Sequence, residues 1–214
     1  MTKHKDKSHS STDKLHRAYH AKSLQETADV YDDWADEYEH HMKNVGYTHP
    51  AMVAAMVARH VAPTKDRVLD AGAGTGILGE ILTALRYPNI VGLDASEGML
   101  KIADLKNNYL ELTHQCLGQP LTFEDDTFAL VVSSGVFTQG HAPLDALDEL
   151  IRVTRPGGYL IFSVARTYLE GPFEHKRQQL EQAKLWQFVD VSERYNSAPL
   201  EDTLISQVFA FQVV

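Results

Sequence analysis

Residues 67–76 read Arg67-Val68-Leu69-Asp70-Ala71-Gly72-Ala73-Gly74-Thr75-Gly76: a short apolar run, a carboxylate, then glycines at alternate positions. This order constrains the fold more than any other stretch of the chain. The apolar run predicts a buried parallel strand, and the glycines a tight turn that needs φ > 0 and leaves main-chain atoms open to a ligand. The following Ile77-Leu78-Gly79-Glu80-Ile81-Leu82 has apolar residues at helical spacing, so a helix N-terminus faces the same ligand. A dinucleotide fingerprint needs Gly-x-Gly-x-x-Gly, and its last glycine falls here on Ile77. The pattern present is Asp-x-Gly-x-Gly-x-Gly.

The 214 residues suit one α/β domain with a modest extension, and 43% hydrophobic with 23% charged residues is ordinary for a soluble protein. No apolar run approaches the ~20 residues of a membrane span, and the first residues lack the apolar segment of a secretory signal. A single cysteine, Cys116, excludes an internal disulfide framework and predicts a reducing, cytoplasmic setting. The net charge is −9, yet residues 1–22 hold six Lys and Arg against two Asp. That stretch reads as a flexible, solvated basic tail. The acidic remainder, residues 23–214, argues against a nucleic-acid partner.

Alternating strand and helix signals follow. Ser23-Leu24-Gln25-Glu26 is a capping box opening a helix that carries Tyr31, Trp34, Ala35, Tyr38 and Met42 along one stripe. A second helix is expected from Pro50 to just before Pro63, so that residues 23–64 form an N-terminal helical cap. From residue 65, strands are expected at 67–70, 89–94, 110–116, 128–133, 158–164, 187–193 and 206–213. Helices are expected at 76–86, 97–106, 143–153 and 174–184. Such alternation predicts a doubly wound, seven-stranded, mostly parallel sheet, with its ligand at the carboxyl ends of the strands near the switch point.

Asp94 ends the second strand, 22 positions after Gly72. A carboxylate there can accept both hydroxyls of a ribose, or it can cap the following helix. Paired with the glycine loop it points to a nucleoside-containing ligand. Two further segments, 121–134 and Glu149-Leu150-Ile151-Arg152-Val153-Thr154-Arg155-Pro156-Gly157-Gly158, resemble the fourth-strand and pre-fifth-strand signatures of class I S-adenosylmethionine-dependent methyltransferases, as does the glycine loop. Residues 31–39 and 117–121 further resemble a narrower group, the methyltransferase-like protein of the Williams–Beuren region and its relatives.

The resemblance implies a Rossmann-like methyltransferase fold with S-adenosylmethionine as cofactor and S-adenosylhomocysteine as product. It implies that Gly72, Ala73 and Gly74 give backbone contacts to the methionine part, with Asp70 near its amino group. Asp94 would hold the ribose, Ala95 and Met99 would flank the adenine, and Leu117 and Gly118 would sit at its edge. Ser133 and Ser134 would stand beside the sulfonium, while Tyr31 and Tyr38 would fold over the cofactor from the cap. Many relatives carry an aspartate where this chain has Leu117, and Phe-Asp where it has Phe128-Ala129.

Transfer to oxygen or a protonated nitrogen calls for a general base, and His141, in the loop beyond the fourth strand, is the candidate. The acceptor is expected to be a small molecule rather than a protein side chain. No cluster has metal-ligand spacing. Two other readings follow from the same residues: a non-catalytic cofactor-binding or scaffold protein, and a nicotinamide-dependent oxidoreductase.

Overall fold

A computed structural model describes residues 14–200 and 204–214. Its strands are β1 (Val68–Ala71), β2 (Ile90–Asp94), β3 (Glu111–His114), β4 (Phe128–Phe137), β5 (Thr154–Ala165), β6 (Trp186–Val191), β7 (Tyr195–Asn196) and β8 (Ile205–Val213). They form one sheet in the order β3-β2-β1-β4-β5-β8-β6, with β7 pairing β8 beyond β6. β1 to β5 pair in parallel, and β8 runs antiparallel to β5 and β6. The strand order reverses between β1 and its neighbours β2 and β4, which puts a topological switch point at the glycine loop. The seven expected strands are present, and the two-residue β7 is an addition.

The period-2 geometry of strands divides the core between two faces. Leu69, Val131, Leu160 and Phe162 face one side with helices α6 (Ala146–Val153), α7 (Arg166–Leu169) and α8 (Pro172–Gln182). Val68, Ile90, Leu130, Val132 and Ile161 face the other, against α3 (His49–His60) and α4 (Ile77–Ala84). The Arg155-Pro156-Gly157-Gly158 segment does not precede β5 but bulges within it: Phe128 pairs with Thr154 while Leu130 pairs with Tyr159. Gly157, at φ 76°, absorbs that extra length.

The cap departs from expectation in two ways. The single helix expected after the capping box is two, α1 (Leu24–Asp32) and α2 (Ala35–Val45). Ser23 Oγ accepts the Glu26 N–H at 3.1 Å as the box requires, but the Glu26 carboxylate turns to the Lys22 N–H. The break falls at Asp33-Trp34, where aspartates compete with the helical backbone and Trp34 is fully buried beside Met42, Val45 and Ala198. Asp32 thereby leaves the acidic face. Its Oδ1 accepts the Ser96 hydroxyl at 2.5 Å and the Gly98 N–H at 2.8 Å, at the start of α5 (Glu97–Leu105).

The second departure concerns the basic tail. Residues 14–19 are helical rather than a solvated leader. Ala18 is buried, Lys14 donates to the Asp33 carbonyl and pairs with Glu37, and a Cβ on Gly140 would lie 2.8 Å from the Ala18 carbonyl oxygen. Packing on the cap and on the loop after β4 overrides the polar composition. Residues 1–13 of that expected tail lie outside the described residues.

Asp32→Ala removes both polar ties between α1 and α5, a loss of about 1 kcal/mol. Hydrogen exchange is expected to quicken across residues 24–45 while the sheet amides stay protected. Unchanged exchange in the cap would mean that packing alone holds it.

Candidate active site

The glycine loop turns as its composition demands. Gly72, Gly74 and Gly76 have φ of 85°, 54° and 85°, all left-handed. The Gly72 and Ala73 N–H groups both donate to the Leu93 carbonyl at 2.9 Å, folding the loop onto the end of β2. The Gly74 N–H donates to Asp94 Oδ2 at 2.8 Å, and the Ser96 N–H donates to Oδ1 at 2.9 Å. Asp94 therefore shapes the turn, while the side-chain cap of α5 is Ser96, whose Oγ accepts the Met99 N–H. Nothing lies within 4 Å of where a Cβ on Gly74 would stand, so the loop faces open space there.

That space is a cleft at the carboxyl ends of β1, β2 and β4, roofed by α1. Ten of the residues expected at a site line it: Tyr31 and Tyr38 from the cap; Gly72, Gly74, Asp94 and Ala95 from the loop and β2; and Met99, Leu117, Ser134 and His141 around them. The other four stand apart from its wall. Ala73 lines only a smaller recess behind the loop. Gly118 is exposed and packs on Pro143, with a left-handed φ of 96°. Ser133 is fully buried and spends its hydroxyl on the Ala71 carbonyl at 2.7 Å, tying β4 to β1. Asp70 is fully buried beneath the loop.

A second, larger cavity adjoins the first. Tyr31, Tyr38, Tyr47, Gly135 and His141 line both and form the partition between them. In that partition the Tyr31 hydroxyl bonds His141 Nε2 at 2.6 Å. His141 Nδ1 lies 3.2 Å from the Gln139 carbonyl, which can only accept, so Nδ1 carries a proton and the neutral ring offers Nε2 as acceptor. Burial lowers the pKa of His141 and raises that of Tyr31 well above the usual phenol range, keeping both neutral. Beside Tyr47 in the wall of the second cavity, His49 Nδ1 bonds the Tyr195 hydroxyl at 2.6 Å, and burial holds the His49 pKa at about 3.

Comparison with known proteins bears on this geometry. A methyltransferase-domain family model matches residues 69–162. Human Methyltransferase-like protein 27 is 31% identical over 183 residues, 81% of this chain and 74% of that protein. The chain belongs to the class I S-adenosylmethionine-dependent methyltransferases. A demethylmenaquinone methyltransferase of Renibacterium salmoninarum is 31% identical, over 74% of this chain and 67% of its own. A malonyl-[acyl-carrier protein] O-methyltransferase of a Marinomonas strain is 32% identical over 69% of this chain, which spans about half of that relative, 53%. Among solved structures, the [4+2]-cyclase SpnF shares the fold at a TM-score of 0.70 and 15% identity, over 90% of this chain and 97% of its own. A TehB-like methyltransferase from Corynebacterium glutamicum does so at 0.60 and 18%, over 84% and 98%.

The methyltransferase uses S-adenosylmethionine, and a polar atom is left without a partner beneath the glycine loop that borders the cleft. Asp70 Oδ2 accepts the Tyr109 hydroxyl at 2.7 Å, while Oδ1 is buried without a partner among the described residues. Burial pushes the Asp70 pKa up to about 7, so a bound cationic amine would restore the charged form. The Tyr109 ring reaches Asp70 through space left by Gly79 and Gly92, where an added Cβ would collide with it. The sequence reading missed Tyr109, and the signal was those two glycines, one inside a helix and one inside a strand, where glycine otherwise only weakens. It also missed Tyr47, whose N–H closes the left-handed Gly46 cap of α2 on the Met42 carbonyl. Among the described residues, no three His, Cys, Asp or Glu side chains are grouped to hold a metal, and no helix is long and apolar enough to cross a membrane.

Asp70 gives the ligand-free protein a pH signature. Its folded pKa lies above the ordinary 3.8, so ionisation costs stability progressively as pH rises from about 4 to about 7. The melting temperature of Asp70→Asn relative to wild type is expected to be more favourable at pH 8 than at pH 5. An equal difference at both pH values would contradict this.

Proposed function

We propose that this methyltransferase carries a methyl group from S-adenosylmethionine in the first cavity to a small-molecule acceptor in the second. The observation that carries the proposal is the shared partition, which brings two ligand-sized spaces together at one phenol–imidazole pair. A scaffold protein has no use for the second space. Ligand sites of this kind are concave, mostly apolar and furnished with a few placed polar groups, as these are. The small-molecule reading draws support from the relatives named for demethylmenaquinone and malonyl-[acyl-carrier protein]. The single cysteine of the chain supports a reducing, cytoplasmic location.

Within the first cavity we assign roles by position. The free Asp70 oxygen and the left-handed backbone of Gly72 to Gly74 hold the amino-acid end, with the Tyr38 ring closing over it. Asp94 holds the ribose: its two oxygens already accept one backbone N–H each, and each keeps a lone pair for a hydroxyl. Ala95 and Met99 flank the adenine, and the Leu117–Gly118 segment supplies main-chain atoms at its edge. Ser134, which lines this cleft, stands beside the sulfonium, whereas Ser133 braces the strand beneath. S-adenosylmethionine supplies an electrophilic methyl group open to in-line displacement, and the protein contributes alignment, worth up to ~7–11 kcal/mol of barrier. His141, neutral and held in one tautomer, takes the acceptor's proton.

Asp94→Ala is expected to weaken S-adenosylhomocysteine binding about ten- to a hundredfold by calorimetry, the loss of ~1.5–3 kcal/mol of charged hydrogen bonding. Affinity within twofold of wild type would remove Asp94 from the site. Because burial depresses His141 below its ordinary 6.5, methyl transfer should fall on acidification with a midpoint below pH 6.5. A midpoint above 6.5, or a profile unchanged in His141→Gln, would contradict its role as base.

A further inference from the structure

The second cavity also constrains the acceptor. We infer that the acceptor is an aromatic alcohol, uncharged or anionic, whose ring lies among the tyrosines and whose hydroxyl meets the Tyr31–His141 pair; this rests on the methyl-transfer reading above. Three observations carry it. Aromatic rings line the cavity, those of Tyr31, Tyr38 and Tyr47 in the partition and those of Tyr19 and Phe137, together with apolar Met42 and Val45. Flat apolar walls of this kind bury rings well. Next, no aspartate or glutamate lines the cavity among the described residues, and its one formal cation is Arg166. Among the described residues an ammonium-bearing acceptor would find no counter-charge, and burying it unpaired is costly. Arg166 is tied only by an exposed pair with Glu170 at 3.0 Å, worth about 0–1 kcal/mol, which leaves it able to meet an acidic group on the acceptor.

The third observation is the direction of the hydrogen bond in the partition. Tyr31 donates to His141 Nε2 at 2.6 Å, so its oxygen keeps its lone pairs for an incoming hydroxyl. As the acceptor oxygen bonds the methyl carbon, the carbon–sulfur bond breaks. The acceptor's proton passes to the Tyr31 oxygen, and the Tyr31 proton passes to Nε2. The products are the methyl ether, S-adenosylhomocysteine and a protonated His141. The relay suits a hydroxyl, whose single proton must leave.

Two probes with the same phenol ring separate the possibilities, 4-hydroxybenzoate and tyramine, which differ in the charge opposite the hydroxyl. Each is titrated by calorimetry into the full-length protein saturated with S-adenosylhomocysteine. Benzoate, which lacks the hydroxyl, serves as the third ligand. We expect 4-hydroxybenzoate to bind at least tenfold more tightly than tyramine and several-fold more tightly than benzoate. In Tyr31→Phe, titrated at an S-adenosylhomocysteine concentration that saturates the variant itself, the preference over benzoate should vanish. Tyramine binding equally or better, or no aromatic binding to the saturated protein, would overturn the inference and leave the methyltransferase reading standing. Failure to bind S-adenosylhomocysteine at all would overturn both.

Discussion

The Asp94 carboxylate holds three pieces of the molecule in register. One oxygen accepts the Gly74 N–H of the loop after β1, and the other accepts the Ser96 N–H at the entry to α5. Ser96 in turn donates its hydroxyl to Asp32 of the cap. Charge-assisted bonds of this kind are about twice as strong as neutral ones. They close the loop on the end of β2, fix where α5 begins, and seat the roof over the cleft. Burial raises the Asp94 pKa, and the two backbone N–H donors oppose that rise. Asp94 thus both shapes the cleft and lines it.

Much of this arrangement was legible in the chain because it rests on local rules. Alternate glycines after an apolar run specify a left-handed turn, and Val68–Ala71 and Ile90–Asp94 fall within a residue or two of where the pattern puts them. The seven main strands follow from the alternation of apolar runs with helical stripes. What the pattern missed involves partners far apart in sequence. Nothing local to Asn107-Asn108-Tyr109 announces a phenol that crosses two glycines to reach Asp70. The hydroxyl of Ser133 looks like that of Ser134 in the sequence, yet one braces β1 and the other lines the cleft. The break between α1 and α2 likewise depends on the burial of Trp34 against Ala198.

The second cavity was the least legible feature. Its walls come from the 14–19 helical segment, the cap, the loop after β4, and the stretch around β7 and β8, so no contiguous motif encodes it. His141 could be named beforehand as a base, but not that Tyr31 would hold its Nε2. Composition points to a solvated tail over residues 1–22, yet Leu15 and Tyr19 within it line this cavity. The first cavity thus follows from motif, and the second from tertiary packing.

The central claim is that methyl donor and acceptor meet at the Tyr31–His141 partition. A crystal structure with S-adenosylhomocysteine tests it most directly. The account predicts the adenosine ribose on Asp94, the amino group on the free Asp70 oxygen, and the sulfur facing the second cavity past Tyr31 and His141. A sulfur directed away from that partition, or a ligand bound outside the glycine-loop cleft, would contradict it.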